Sequence, residues 1–396
     1  MPVRLIPSGF RASAVKAGIK PSGNLDLAIL AADGECSAAG TFTTNRIAAA
    51  PVQWDRGLIP SDTIRAIVVN AGNANAATGD QGLADTRRTA ELAAERLGCR
   101  ADQILVASTG VIGRHLPMDR LEAGVLAAVE ALSTNPAAFD DASLAIMTTD
   151  TKPKVVSIEE SIGGKAVRLF GLAKGAAMIG PRMATMLAFL ITDAEVQSSD
   201  LQTILGESVE RSFNCVSVEG HMSTNDTVLL LANGRGGSPL AGPDLQRFAS
   251  MVDEACQTLA RMIPEDGEGA THLITIDVKG AADRDEARVI ARAVADSALV
   301  KTAIHGADPN WGRIVSAAGY AGVPFAETEL SLKLNGIPIY QDGVPLDFDP
   351  KAASESLRNH RETTILLTLR RGSGEIRFWT CDLTAEYIHL NADYTT

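Results

Sequence analysis

The most unusual stretch of the sequence is LAKGAAMIGPRMATMLAFLITD, residues 172–193. Its second half, residues 186–192, is a continuous apolar run, which is typical of a strand buried on both faces in the middle of a sheet. Gly180 and Pro181, just before this run, predict a turn. Thr185 is therefore expected where an irregular loop enters a buried strand.

The segments on both sides of this strand predict a fold of the α/β (α+β) class. Short apolar runs between Gly- and Asn-rich turns indicate strands, and amphipathic segments with apolar residues three and four apart indicate helices. We expect a layered sandwich with a mostly β core flanked by helices, plus a smaller C-terminal α/β domain. The predicted strands include residues 26–31, 65–69, 103–107 and 273–279, and the predicted helices are 85–97, 118–132, 197–213, 244–263 and 283–296.

The pattern changes near residues 270–282, which indicates a domain boundary. We expect an N-terminal catalytic domain of residues 1–275 and a smaller C-terminal domain of residues 276–396. Near the end of the chain, two strand-like runs flank RRGSG, residues 370–374. A glycine-containing connection between two such runs is typical of a β-hairpin.

Charge and composition exclude several classes of function. The 396 residues contain 36 Lys and Arg against 48 Asp and Glu, a net charge of −12, so neither nucleic acid nor an anionic membrane is an expected partner. No apolar run approaches the roughly 20 residues of a membrane-spanning helix, and the N-terminus does not resemble a secretory signal. The five cysteines are scattered without a CxxC pair, which argues against a disulfide framework or a zinc site. We therefore expect a cytoplasmic protein without a metal.

Two interpretations of Thr185 follow from the residues alone. The simpler one is structural, because a β-branched residue suits the start of a strand. In the other, Thr185 is a nucleophile, and a threonine hydroxyl needs a base to become one. If the chain is cut between Ala184 and Thr185, the new α-amine supplies that base, because its pKa of about 7.7–8.0 leaves a neutral fraction near physiological pH.

A series of motifs spans almost the whole chain. In order they are AGIK (17–20), GTFTTNRIAAAPV (40–52), NAGNANAATGDQG (70–82), ASTGVIGRHLP (107–117), MTTDTKPK (147–154), STNDTVLLLANG (223–234), DGEGATH (266–272), ADPNWGR (307–313) and NADYTT (391–396). Together with residues 172–194, this series closely resembles the ornithine acetyltransferase family, also called glutamate N-acetyltransferases, of the cyclic arginine pathway.

The resemblance implies a role for individual residues. The family cuts itself before the threonine of ATML, which here implies cleavage between Ala184 and Thr185 into an α chain 1–184 and a β chain 185–396. Thr185 would be the nucleophile, and Thr109 and Gly110 would form the oxyanion hole. The substrate-binding residues implied by the same resemblance are Thr148, Lys174, Thr185, Glu268, Asn391 and Thr396.

The implied activity is acetyl transfer from N-acetylornithine to glutamate through an acetyl-Thr185 intermediate, in a ping-pong reaction. The resemblance implies no metal or organic cofactor, acetyl-CoA as a further donor in some members, and an assembly of two α and two β chains. Two other hypotheses remain open from the sequence. One is a self-cleaving amidohydrolase or aminopeptidase with an N-terminal nucleophile, and the other is a non-catalytic paralogue that binds amino acids.

Two residues near the cleavage site depart from the family pattern. Ala177 stands where members usually carry glycine, and Arg182 stands where asparagine is common. Alanine loses access to positive φ angles that glycine adopts readily. These departures bear on the rate of self-cleavage and on substrate preference.

Overall fold

The computed structural model describes residues 4–180 and 186–392, which form two mixed sheets flanked by helices. The first sheet has the strand order β4-β3-β2-β8-β7-β6-β5, and β1 pairs with β2 beside this path. The α/β class and the layered, largely β core are therefore confirmed. The strands are β1 (Phe10–Val15), β2 (Leu27–Phe42), β3 (Ser61–Asn73), β4 (Ile104–Val111), β5 (Lys154–Ile162), β6 (Lys165–Lys174), β7 (Leu187–Thr192) and β8 (Thr227–Ala232).

The apolar run after Thr185 forms β7, as predicted. Every residue of Leu187–Thr192 is buried, and β7 lies between β6, to which it is antiparallel, and β8, to which it is parallel. Alternate side chains enter two different cores: Phe189 packs in one cluster and Leu190 in the other. A strand with two buried faces needs this unbroken apolar sequence.

Helices cover the first sheet on both faces. The Leu190 face packs against α5 and α6, while the Phe189 face packs against Phe139 of α4. A third cluster joins β2 and β3 to α2 and α3. The helices of this part are α1 (Ala50–Arg56), α2 (Gly79–Leu97), α3 (Met118–Glu130), α4 (Pro136–Ala145), α5 (Ser198–Arg211) and α6 (Gly242–Glu265).

A second sheet follows in the chain, with the order β12-β11-β10-β13-β9-β14. Its Ile276 joins the cluster that contains Leu190 and Leu259, so the two sheets share a core. The division at residue 275 stays a prediction. The elements are β9 (Leu273–Ala281), α7 (Arg284–Ala295), α8 (Ala298–His305), α9 (Trp311–Gly319), β10 (Ser331–Leu334), β11 (Ile337–Gln341), β12 (Val344–Pro345), α10 (Pro350–Arg358), β13 (Glu362–Thr368), β14 (Gly374–Cys381) and α11 (Ala385–Ala392).

The predicted hairpin around residues 370–374 is wrong. Both strands exist, but β9 lies between them and pairs parallel with β13 and antiparallel with β14. The connection instead crosses the end of β9, where the Arg371 N–H donates to the carbonyl of Gly280 at 2.9 Å. A local turn signal cannot reveal that a distant strand takes the central place.

Strand β2 is longer than the predicted residues 26–31, because it continues to Phe42. The second half is rich in Gly, Ala and Ser, which the sequence pattern indicates as turns. It pairs with β8, and Gln202 of α5 both donates to and accepts from the backbone of Gly40 at 3.0 Å. In residues 4–180 and 186–392, no helix is long and apolar enough to cross a membrane.

Candidate functional site

A cavity lies at one end of the first sheet, where β3, β4 and β6 end and where β7 and β8 begin. Of the residues predicted to act in the site, six line it: Thr109, Gly110, Thr148, Lys174, Glu268 and Asn391. The other described lining residues are Ala74, Ile112, Thr149, Ala177, Met178, Ser223, Thr224 and Asn225. We call this the central cavity. Ala184, Thr185 and Thr396 lie outside the described residues, and so does Arg182.

Gly110 can only be glycine in this backbone. Its φ of +132° lies in a region that L side chains rarely adopt, and a Cβ atom would come within 2.3 Å of the carbonyl carbon of Gly72 on the neighbouring β3. Strands β3 and β4 are thus in close contact at the point where Thr109 and Gly110 face the cavity. Whether these two residues hold an oxyanion stays a prediction.

Asn225 fixes the three strand ends that meet at the cavity. Its side-chain amide donates to the carbonyl of Ala74 at 2.6 Å and to that of Ser108 at 2.8 Å. Its own N–H donates to the hydroxyl of Ser223 at 3.0 Å. Since Asn225 is buried, these bonds are shielded from water and hold the wall of the cavity in one arrangement.

Lys174 brings a buried ammonium group to the cavity beside Thr109. It is only 2% exposed, and its Nζ atom donates to Thr109 Oγ1 at 3.2 Å. Burial lowers the pKa of Lys174, while the nearby carboxylate of Asp150 opposes that shift. Burial thus disfavours the charged form of Lys174, Asp150 only partly offsets this, and the amine lines a cavity that a small molecule can enter.

A buried charge network supports Lys174 from behind. Lys154 Nζ donates to Asp150 at 2.7 Å and to Asp266 at 2.6 Å. Asp150 also accepts from the backbone N–H of Gly175 at 2.6 Å and of Thr148 at 3.1 Å. Burial alone would raise the pKa of Asp150, but the ammonium groups of Lys174 and Lys154 hold it at about 2. The network thus fixes the backbone on both sides of the cavity.

Glu268 and Asn391 form the opposite wall. The amide of Asn391 donates to Glu268 Oε2 at 2.8 Å, so helix α11, near the end of the chain, reaches the cavity. The Glu268 N–H donates to the carbonyl of Ala176 at 3.0 Å, which joins the Gly-rich loop 266–270 to the loop after β6. Just before helix α11, Thr384 Oγ1 donates to the carbonyl of Gly269 at 2.9 Å. A carboxylate at this position suits a ligand that carries an ammonium group.

The loop after β6 does not need glycine at position 177. The left-handed conformation belongs to Met178, with a φ of +58°, and not to Ala177. The departure from the family pattern at Ala177 therefore costs no backbone strain of that kind.

Asp226 is a buried carboxyl group next to the start of β7. Its Oδ1 accepts from the N–H of Met186 at 3.3 Å, and its Oδ2 has no hydrogen-bond partner among the described residues. Burial raises the pKa of Asp226 well above its usual range, although the Met186 N–H and Lys174 oppose the shift. A protonatable carboxyl group thus contacts Met186, the residue that follows the predicted nucleophile Thr185 in the chain.

Glu219 holds the other side of the same loop. Its Oε1 accepts from the N–H of Ile179 at 2.6 Å, and its Oε2 is buried and unpaired within the described parts of the chain. Burial raises the pKa of Glu219 to about 7, against the opposing effects of the Ile179 N–H and of Lys301.

Glu219→Gln is expected to change the pH dependence of stability. From about pH 4.5 to pH 7 the unfolded chain has lost this proton and the folded chain keeps it, so the unfolding free energy falls as pH rises. Glutamine removes this pH dependence. Relative to wild type, the free energy of unfolding of the variant should therefore rise by up to ~2–3 kcal/mol between pH 5 and pH 8. Urea unfolding at both pH values measures the difference. The exposed Glu355→Gln is the control, with changes under ~0.5 kcal/mol; the same effect of Glu219→Gln at both pH values would contradict the prediction.

Sequence reasoning missed the residues that hold the site in place. Asp150 and Lys154 lie within the MTTDTKPK motif, and Asn225 and Asp226 lie within STNDT, but each resembles an ordinary polar loop residue. A charged residue inside an otherwise uncharged motif was the available signal for Asp226. In the described parts of the chain, no cluster of His, Cys, Asp and Glu has the geometry to hold a metal ion.

Comparison with known proteins gives matches along nearly the whole sequence. The sequence model of the ArgJ family matches residues 11–396. The arginine biosynthesis bifunctional protein ArgJ of Thermus thermophilus is 48% identical, with 100% of both chains covered. The protein of the same name from Parasynechococcus marenigrum is 46% identical over 98% of this chain and 94% of its own. A crystal structure of ArgJ from Bacillus halodurans is 38% identical with a TM-score of 0.51, and the match covers 52% of this chain and 98% of that one.

Proposed function

Because this chain belongs to the ArgJ family, we propose that it is an acetyltransferase of arginine biosynthesis that moves an acetyl group from N-acetylornithine to glutamate. One observation carries the assignment of the site. Six residues from distant parts of the sequence, predicted to act together, line the same cavity, and Asn225 of its wall precedes Asp226, which accepts from the N–H of Met186. The proposed nucleophile, Thr185, is the residue that precedes Met186.

The proposed first half-reaction forms an ester on Thr185. The hydroxyl oxygen of Thr185 bonds to the acetyl carbon of N-acetylornithine, and the α-amine of the same residue accepts the hydroxyl proton. Thr109 and Gly110 stabilise the negative oxygen of the tetrahedral intermediate. The C–N bond then breaks, the proton passes to the departing nitrogen, and ornithine leaves.

The second half-reaction transfers the acetyl group to glutamate. The neutral α-amine of glutamate attacks the ester carbon, the bond to the Thr185 oxygen breaks, and that oxygen recovers a proton. N-acetylglutamate is the product. The nucleophile and the base both come from Thr185, so the proposed chemistry requires no metal and no organic cofactor.

The two walls of the cavity suit the two ends of the substrate. An α-carboxylate can pair with the ammonium of Lys174, which would also offset the burial of that cation. Because Lys174 donates to Thr109, the carboxylate-binding group and the proposed oxyanion donor are held together. At the far wall, the carboxylate of Glu268, supported by Asn391, suits the side-chain ammonium of ornithine.

The proposed self-cleavage between Ala184 and Thr185 has independent support. The solved Bacillus halodurans chain matches this one over 98% of its own length but covers only 52% of this chain. In that crystal structure the matching chain is about half as long as this one, and residues 185–396 are a little more than half of the 396.

The fold explains how two cleaved chains would stay together. Strand β6 belongs to the segment before the cleavage site and β7 to the segment after it, and the two strands pair from Leu169↔Thr192 to Lys174↔Leu187. Strands β2 and β8 make a second such pairing. We infer an α and a β chain joined within one sheet, and we propose an assembly of two of each in the cytoplasm.

Intact mass spectrometry of the purified protein, before and after mixing with N-acetylornithine, tests this function. We expect two fragments, of which the second begins at Thr185 and gains one acetyl group that glutamate then removes. Thr185→Ala should stay uncut and gain nothing. A wild-type chain that is uncut and unmodified would refute the proposal and favour an amino-acid-binding paralogue. Loss of the acetyl group as acetate at the same rate without glutamate would favour a hydrolase.

A further inference from the structure

A second cavity, of about 550 Å³, borders the central cavity. Gly110 and Thr148 line both. We call it the basic cavity, because its described lining includes Lys20, Arg114 and His115 and contains no Asp or Glu. Its size is in the range of small-molecule and cofactor sites. A ligand in the basic cavity would therefore extend to the residue that is proposed to hold the oxyanion.

The charge of the basic cavity contrasts with that of the whole chain. The protein has a net charge of −12, yet this lining carries only cationic or neutral groups. Arg114 is exposed and makes no ion pair with any described residue, whereas many other arginines in the fold do, such as Arg168 with Glu159 at 2.7 Å. An unpaired guanidinium at the mouth of a cavity is available to an anionic ligand.

The backbone around Lys20, Arg114 and His115 is fixed rather than free. The side-chain amide of Asn73 donates to the carbonyls of Arg114 at 3.2 Å and His115 at 3.0 Å. On the opposite wall, the buried carboxylate of Asp26 accepts from the N–H groups of Ile19 at 2.6 Å and Lys20 at 2.9 Å. Both walls are therefore preorganised, which reduces the ordering cost of binding.

Lys20 also favours an anionic ligand in the basic cavity. Its Nζ donates to the carbonyls of Leu25 at 2.7 Å and Ala145 at 2.9 Å, so one of its three N–H groups remains for a ligand. Burial lowers the pKa of Lys20 to about 8, although the carboxylate of Asp26 opposes the shift. An anion beside Lys20 would favour its charged form.

We propose that the basic cavity binds a phosphate-bearing group through Arg114, Lys20 and His115. Two cationic side chains, Arg114 and Lys20, with the imidazole of His115 beside them exceed what one carboxylate needs, and the planar guanidinium of arginine matches two phosphate oxygens. The inference rests on the proposed function only for its position beside the reacting carbonyl. The phosphate group can come from two sources: the tail of a phosphorylated thioester that donates an acyl group at Gly110, or a separate phosphorylated ligand.

Binding of pyrophosphate to the cleaved, full-length protein tests the site without turnover. Isothermal titration calorimetry is expected to give a Kd that Arg114→Gln raises at least tenfold. Arg87→Gln, an exposed arginine on α2 outside the cavity, changes the net charge equally and is expected to stay within about twofold of wild type. No binding at millimolar pyrophosphate, or equal effects of the two substitutions, would overturn the proposal.

Two thioester donors distinguish the two sources of the phosphate group. Acetyl-CoA carries phosphate groups, and the acetyl thioester of N-acetylcysteamine does not. If the thioester tail is the ligand, Arg114→Gln lowers acetyl transfer from acetyl-CoA at least tenfold more than transfer from the short thioester. If pyrophosphate affinity falls while both transfers change equally, the ligand is a separate phosphorylated molecule. Acetylation of wild-type Thr185 by N-acetylornithine reports on the proposed function independently of these results.

Discussion

Lys154→Met is expected to lower the free energy of unfolding by about 3–5 kcal/mol, because it breaks a buried ion-pair network. Lys154 is 1% exposed, and its ammonium lies between the carboxylates of Asp150 and Asp266. Methionine has a similar length but no charge, so two carboxylates would remain buried without the cation between them. Removing one partner costs more than the pair contributes, since the desolvated charge that remains is unpaired.

Urea unfolding at pH 7 measures this loss, and Lys152→Met is a matched control. Lys152 is two residues away and also pairs with a carboxylate, Glu265 at 3.4 Å, but its side chain is 48% exposed. An exposed pair of this kind contributes ~0–1 kcal/mol. If the two substitutions destabilise the protein equally, the network does not hold the site as we argue.

The same network has a predictable dependence on acid. The pKa of Asp150 is lowered to about 2, so its contribution to stability is present above the ordinary value of 3.8 and is lost as pH falls toward 2.

Asp150 also accepts from the backbone of Gly175 and Thr148, beside the proposed substrate-binding groups. Loss of Lys154 should therefore weaken substrate binding as well as stability.

The sequence predicted those features that depend on short stretches. Residues 186–191 are apolar throughout, so a central strand follows from the pattern alone. Thr109, Gly110, Lys174 and Glu268 could be proposed because each stands in a motif of the family. Their convergence on one cavity could only be seen in the fold.

The features that could not be predicted depend on distant partners. Lys154 and Asp266 are 112 residues apart, and each alone resembles a surface charge. Strand β9 enters between β13 and β14 through a parallel pairing, which no local turn signal reports. Burial of Glu219 and Asp226 likewise follows from packing around β7, not from their own neighbours in sequence.

Gly110→Ala is expected to lower kcat/KM for acetyl transfer by about 10²–10³-fold, the usual cost of losing an oxyanion donor. The added Cβ would lie 2.3 Å from the carbonyl carbon of Gly72 and 2.5 Å from the nitrogen of Asn73, both backbone atoms. Strands β3 and β4 would have to separate at Thr109 and Gly110. A displacement of about 1 Å at a catalytic group is enough for a loss of about a hundredfold.

Steady-state transfer from N-acetylornithine to glutamate measures the effect, normalised to the folded fraction from an unfolding curve. Gly164→Ala separates the backbone cost from the loss of the donor. Gly164 also has a positive φ, +77°, but it lies in the turn between β5 and β6, and an added Cβ meets nothing within 4 Å. We expect this control to lose ~1–2 kcal/mol of stability and to keep its kcat/KM. The close approach of β3 and β4 leaves no room for alanine at position 110 unless the proposed donors move. A folded Gly110→Ala enzyme with wild-type kcat/KM would therefore show that the acyl oxygen is held elsewhere.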